Sequence, residues 1–220
     1  MTRVAIMQPY FMPYAGYFRL FVDTDIFVIY DDVQFPKGGW VHRNRLPDQQ
    51  GNPAWLTLPV KRMPLGSSIR ELEYETDAGE KWQARLRRFP ALERQDDPLV
   101  KAVLELGDSP AEFLERTLGL ATSRLGLPFP VVRSSELGLA IDLSGPERVL
   151  EIVKQLGGTE YVNLPGGATL YDHAQFDAAG ISLTLLPDYS GNMLSMLYRL
   201  LTEPADEIAA EIRRNLEPAT

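Results

Sequence analysis

The 220-residue chain contains no cysteine, which excludes disulfides, thiolate nucleophiles and Cys-ligated zinc or iron–sulfur centres. Histidine is nearly as scarce. His42 and His173 are too few for a histidine-built metal site and no metal-ligand spacing is visible, so no metal is expected. No stretch approaches the roughly 18 consecutive apolar residues of a spanning helix, so no membrane span is expected either. The first residues run straight into a strand-like segment without the apolar region of a signal peptide, which makes a cytoplasmic protein the expectation. Positive charge is in deficit. With 22 Lys and Arg against 30 Asp and Glu, the formal charge is -8, and non-specific binding to nucleic acid is not expected. The dinucleotide fingerprint, the phosphate loop of P-loop enzymes and the Gly-x-Ser-x-Gly elbow are all absent. No cofactor and no oligomeric state can be read from the residues.

What is present is an ordinary globular composition, 45% hydrophobic and 24% charged. Apolar runs at 3–7 and 26–30 read as buried strands. Between them, Tyr14 to Val22 has helical spacing, with Pro13 at its start. That order opens an α/β domain with a parallel sheet, flanked by helices, whose ligands sit beyond the carboxyl ends of the strands. Residues 53–60 and 69–75 alternate enough to form an inserted β-hairpin with Pro64 and Gly66 in its turn. The middle, about 77–126, reads as mainly helical. Ser109-Pro110-Ala111-Glu112 is a capping box that starts a helix running to about Gly126, and Ser144-Gly145-Pro146-Glu147 starts another that Gly157-Gly158 ends. Strands follow at 129–133, 161–164 and 181–186, then one or two helices. No linker or repeat divides the chain, so residues 1–220 are expected to form a single domain.

The candidate site residues cluster after the strands. Gln8-Pro9-Tyr10-Phe11-Met12-Pro13-Tyr14 fills the first strand-to-helix turn. There Gln8, Tyr10 and Tyr14 offer hydrogen bonds to a substrate, unless the aromatics simply cover the sheet edge. Asp31-Asp32-Val33-Gln34-Phe35 follows the second strand, and either carboxylate is a candidate base unless it only caps a turn. Between Lys37 and Arg70 six basic residues face the single acid Asp48. Within that region, Lys37, Trp40, His42, Arg43, Asn44 and Arg45 have the ingredients of an anion grip, or of a solvated basic face. Ser134 and Ser135, and Gly166 and Gly167 with Tyr171, follow later strands and are candidate substrate contacts by the same edge rule.

These motifs together, Gln8-Pro9-Tyr10 with Pro13-Tyr14-x-Gly16-Tyr17-Phe18, Asp31-Asp32-Val33-Gln34-Phe35 and Trp40-Val41-His42-Arg43-Asn44-Arg45, resemble the N-terminal signature of the WbqC-like protein family. The resemblance continues through Leu58-Pro59-Val60, Ser134 to Leu137, Tyr161, Gly166-Gly167, Tyr171-Asp172 and Leu194-Ser195. It implies a bacterial protein of surface-polysaccharide or secondary-metabolite biosynthesis, with transfer of a glycyl group to an amino sugar as one activity. The chain departs from the family at Tyr198, where members tend to carry an aspartate. A more distant similarity, to nucleotidyltransferases of the class I aminoacyl-tRNA synthetase fold, rests on the proline-containing first loop and Val33-Gln34-Phe35.

The expected function is therefore amide formation, an acyl or aminoacyl group passing to the amine of a small molecule that bears a phosphate or carboxylate. Asp31, Asp32 and His42 are the expected catalytic residues. Gln8, Tyr10, Tyr14, Gln34, Lys37, Trp40, Arg43, Asn44, Arg45, Ser134, Ser135, Gly166, Gly167 and Tyr171 are the expected substrate contacts. A hydrolase or cyclase using the same carboxylates, and a binding protein without chemistry, are the alternatives.

Overall fold

A computed structural model describes residues 1–94, 96–107, 109–140 and 142–217. Five parallel strands, β1 (Arg3–Met7), β2 (Ile26–Ile29), β5 (Val131–Arg133), β6 (Glu160–Asn163) and β7 (Ser182–Leu185), form one sheet in the order β5-β2-β1-β6-β7. Parallel strands buried on both faces need continuous apolar runs, and Val4-Ala5-Ile6 and Phe27-Val28-Ile29 supply them. Because successive side chains point to opposite faces, each run feeds two cores. Ala5, Phe27, Ile29 and Val162 pack with α1 (Ala15–Asp23), α4 (Pro110–Arg124), α7 (Met196–Thr202) and α8 (Ala205–Arg214). Val4, Ile6, Val28, Tyr161 and Leu183 pack against α5 (Gly145–Gln155) and α6 (His173–Ala178) on the other face. The α/β reading with flanking helices is thus the observed architecture.

The middle third is helical, with α2 (Ala78–Leu86) and α3 (Pro98–Leu104) preceding α4. Gln95 and Asp108, which fall inside the segment read as helical, lie outside the described residues. Ser109 caps α4 as its sequence implies, its Oγ accepting the Glu112 N–H at 3.2 Å. A separate hairpin is present, but its strands are β3 (Arg43–Pro47) and β4 (Pro53–Thr57), paired antiparallel, rather than 53–60 with 69–75. Two local devices explain the difference. Asp48 Oδ1 accepts N–H bonds from Gln50 and Asn52, both 2.9 Å, and closes the turn that joins β3 to β4. A capping box of Ser68 with Glu71 winds Ile69–Glu71 into a 3₁₀ turn, so 69–75 keeps a single bridge, Tyr74 to Val60.

Candidate functional site

The strand order reverses at β1, with β2 on one side and β6 on the other. A crevice must open there, outside the carboxyl ends, because the connections leave toward opposite faces. The structure has a cleft of about 720 Å³ at that place. Gln8, Tyr10 and Tyr14 enter it from the loop after β1, Gly166, Gly167 and Tyr171 from the segment after β6, and Trp40 from beside the hairpin. Seven of the sequence-predicted residues therefore meet in one cavity. Asn163, Tyr30, Asp188, Tyr189 and Met193 line it as well.

The first loop is held in a conformation it would not choose alone. Met12 has φ of 44°, the one positive value among described non-glycine residues, and fixed donors compensate for it. The Asn44 amide donates to the Phe11 and Met12 carbonyls at 3.0 and 2.6 Å, and Ser195 Oγ donates to the Met12 carbonyl at 2.8 Å. Asn44, 6% exposed, is therefore a strut under the loop, and Ser195 of the Leu-Ser motif is a second one. At Gly16 a Cβ would stand 2.2 Å from Tyr14 Cε2 and 2.8 Å from Tyr189 Cγ, so glycine lets those two rings close over the start of α1. They meet edge-on, 5.4 Å apart. Gly167 is needed for a similar reason, since a Cβ there would sit 2.4 Å from Asn163 Nδ2.

Beneath the rings lies Arg19, fully buried. Its guanidinium donates to the carbonyls of Gly16, Pro187 and Asn215, lies 5.4 Å from the Tyr189 ring centre, and leaves Nη2 without a partner among the described residues. Burial lowers its pKa from the usual value; Tyr14, Tyr189 and Asp188 pull the other way. Asp188 is the one carboxylate among the lining residues.

The acidic pair after β2 has different surroundings. Asp31, 4% exposed, accepts from Ser135 N at 3.0 Å and Ser135 Oγ at 2.7 Å, and its N–H donates to Ser134 Oγ at 3.2 Å. Ser134 Oγ donates to Asp32 Oδ1 at 2.6 Å, and Arg148 forms an ion pair with the other Asp32 oxygen. These bonds tie the ends of β2 and β5 together. Neither aspartate and neither serine lines the cleft; Tyr30 does, its phenol pushed up to about 12 by burial despite nearby Arg148. Among the described residues no group of three or more His, Asp and Glu could hold a metal ion.

The basic region divides in two. Arg43 lies 4.3 Å and Arg45 4.5 Å from the Trp55 ring centre, and Arg43 also donates to the carbonyls of Gly38 and Gly39, so both side chains are engaged on the hairpin. Gln34, Lys37 and His42 instead line a second cleft, of about 680 Å³, which shares no lining residue with the first. Burial, with Arg43 and Arg85 adding repulsion, lowers the His42 pKa to about 4. The unfolded chain takes up this proton near pH 6.5 while the folded chain waits until about 4. Stability is thus lost as pH falls across that window, by about 1–2 kcal/mol once screening of the partly exposed ring is allowed for. His42→Gln is expected to flatten the fall in melting temperature between pH 6.5 and 5, above the carboxylate range. Parallel slopes in variant and parent would show that His42 is not held neutral.

The WbqC-like protein family matches residues 8–191. The chain belongs to the WbqC-like protein family. It is 33% identical over 198 residues to the uncharacterized protein Rv1507c of Mycobacterium tuberculosis, covering 87% of this chain and 84% of that one. No solved structure matches. The family match takes in every lining residue of the first cleft except Ile6, Met7 and Met193. Tyr198 of this WbqC-like chain lies on α7, packed against the larger core and not among the cleft residues.

Sequence reasoning missed Arg19, Tyr30, Asn163, Asp188 and Tyr189. A signal existed for two of them. Asp188-Tyr189 follows β7 at the same edge as the loops after β1 and β6, and the edge rule applies to it equally. Arg19, inside an apolar helix, reads as an outlier without showing which way it faces.

Proposed function

We propose that this WbqC-like chain is an amide-forming transferase, passing an acyl or aminoacyl group, a glycyl group among the candidates, to the amine of a small molecule such as a nucleotide-linked amino sugar. The carrying observation is the switch-point cleft, which gathers neutral hydrogen-bonding side chains (Gln8, Asn163, Tyr10, Tyr14, Tyr171) around the single carboxylate Asp188. Amides and phenols of this kind orient a hydroxylated acceptor, and a carboxylate holds its ammonium. An amine attacks a carbonyl only after losing its proton, because the protonated form has no lone pair. In this reading Asp188 takes that proton, the new N–C bond forms, and the bond from the acyl carbon to its leaving group breaks. The donor must arrive activated, since a free carboxylate offers no leaving group. Asp31 and Asp32, each already engaged, tie the end of β2 to β5 and to Arg148, and His42 serves the second cleft.

The test is incubation with amino-sugar nucleotides and activated acyl donors, read by mass spectrometry. A product heavier than the acceptor by one acyl group is expected, with the acceptor amine consumed. Donor cleavage in water alone would replace this reading with a hydrolase. Thermal stabilisation by the acceptor with no turnover would replace it with a binding protein, and a ligand at 100 times its dissociation constant stabilises by about 2.7 kcal/mol.

A further inference from the structure

The second cleft, between residues 34–42 and 60–66, carries an excess of positive charge in a protein that is negative overall. Lys37, Lys61 and Arg62 line it, and no carboxylate does. Lys61 is paired with Glu73 outside the lining, at 2.5 Å; Lys37 and Arg62 have no ion pair among the described residues. Like charges crowded into a concave surface repel unless an anion lies between them. A second observation points the same way. His42 Nδ1 is buried without a hydrogen-bond partner, on a ring fixed by edge contact with Phe35 at 5.0 Å between centres. Buried polar atoms are almost always paired, so His42, which lines this cleft, keeps a hydrogen-bonding capacity that no described protein group uses. Gln34 adds an amide at the same cleft, while Val60, Met63 and Leu65 give it an apolar wall.

We propose that this cleft binds the diphosphate of a small molecule, with Lys37 and Arg62 gripping the phosphates, Gln34 and His42 hydrogen-bonding their oxygens, and the apolar wall receiving the attached group. Two unpaired cations beside a third that is paired match a diphosphate better than a single phosphate, and guanidinium is the fork that phosphate oxygens accept bidentately. The proposal stands apart from the transferase reading, because the two clefts share no lining residue and its test reads binding alone.

Inorganic pyrophosphate, inorganic phosphate and citrate are titrated into the full chain by calorimetry, with the imidazole resonances of His42 followed by NMR. Pyrophosphate is expected to bind tighter than phosphate or citrate and to shift the His42 signals while leaving those of His173 in place. Arg62→Gln and Lys37→Gln, both exposed side chains whose loss leaves the fold intact, are each expected to weaken pyrophosphate at least tenfold. Arg87→Gln, an exposed arginine on the helical segment that removes the same charge elsewhere, is expected to leave binding unchanged. Equal binding by the Arg62 and Lys37 variants, an equal loss in the Arg87 variant, an unmoved His42, or citrate as tight as pyrophosphate would each overturn the assignment.

Discussion

Asp188→Asn is expected to lower the rate of acyl transfer by about 10²–10⁴-fold, the usual contribution of a positioned base, with little change in melting temperature. The substitution keeps shape and removes proton affinity. Asp188 is exposed on the segment after β7, and surface changes of this sort ordinarily move stability by no more than about 0.5 kcal/mol. The two readouts therefore separate chemistry from folding. Asp32→Asn makes the contrast, since it strips the counter-charge from largely buried Arg148 and should appear as lost stability first. The acceptor's KM adds a further distinction: if Asp188 only anchors the ammonium, KM rises and kcat holds, whereas a base lowers kcat. A rate within tenfold of the parent, in a protein that melts at the parent temperature, would remove Asp188 from the proton path. A larger rate loss in Asp32→Asn than in Asp188→Asn, at unchanged stability, would return that role to the acidic pair.

The outline of the fold was legible because it follows from local signals. Apolar runs gave the central strands and a capping box gave α4, and the edge rule brought Gln8, Tyr14 and Gly167 to one cleft from loops more than 150 residues apart. What could not be read is pairing at a distance. Asn44 has the residue type of a ligand contact, and nothing near it in sequence says that its amide is committed to carbonyls 32 and 33 positions away. Asp31 likewise reads as a free carboxylate until serines 103 and 104 residues later close on it. The hairpin error has a different cause. Pro64 and Gly66 are stronger turn residues in isolation than Asp48, but the Asp48 side chain completes its own turn and the Ser68 capping box removes the competing strand.

Arg199→Met is expected to cost about 3 kcal/mol of stability, the largest loss of any single change considered. Arg199 is 3% exposed and joins two helices: it donates to Glu203 on its own side at 2.6–3.1 Å and to both oxygens of Glu211 on α8 at 2.7 and 2.8 Å. Removing the cation leaves two carboxylates facing each other. Breaking one side of a buried pair ordinarily costs about 3–5 kcal/mol, and the partial exposure of Glu203 favours the lower end. With a urea slope of roughly 2 kcal/mol per molar, the unfolding midpoint should fall by about 1.5 M. Burial raises the Glu211 pKa, but Arg199 and Tyr189 more than offset it, and the carboxyl ends below its usual range. That stabilisation is present above the unfolded value near 4.5 and is lost as pH falls through the folded one, so the gap between parent and variant should narrow in acid. The double change Arg199→Met with Glu211→Met is expected to recover part of the loss, because an apolar pair replaces the stranded charge. The same network reaches the cleft. Glu211 also accepts from Tyr189 Oη and from Asn192 N, and so holds the loop that carries Asp188, Tyr189 and Met193 into the site. Acceptor binding should therefore weaken in Arg199→Met even where the protein is still folded. A loss below about 1 kcal/mol, or a double variant no more stable than the single one, would show that the network carries neither load.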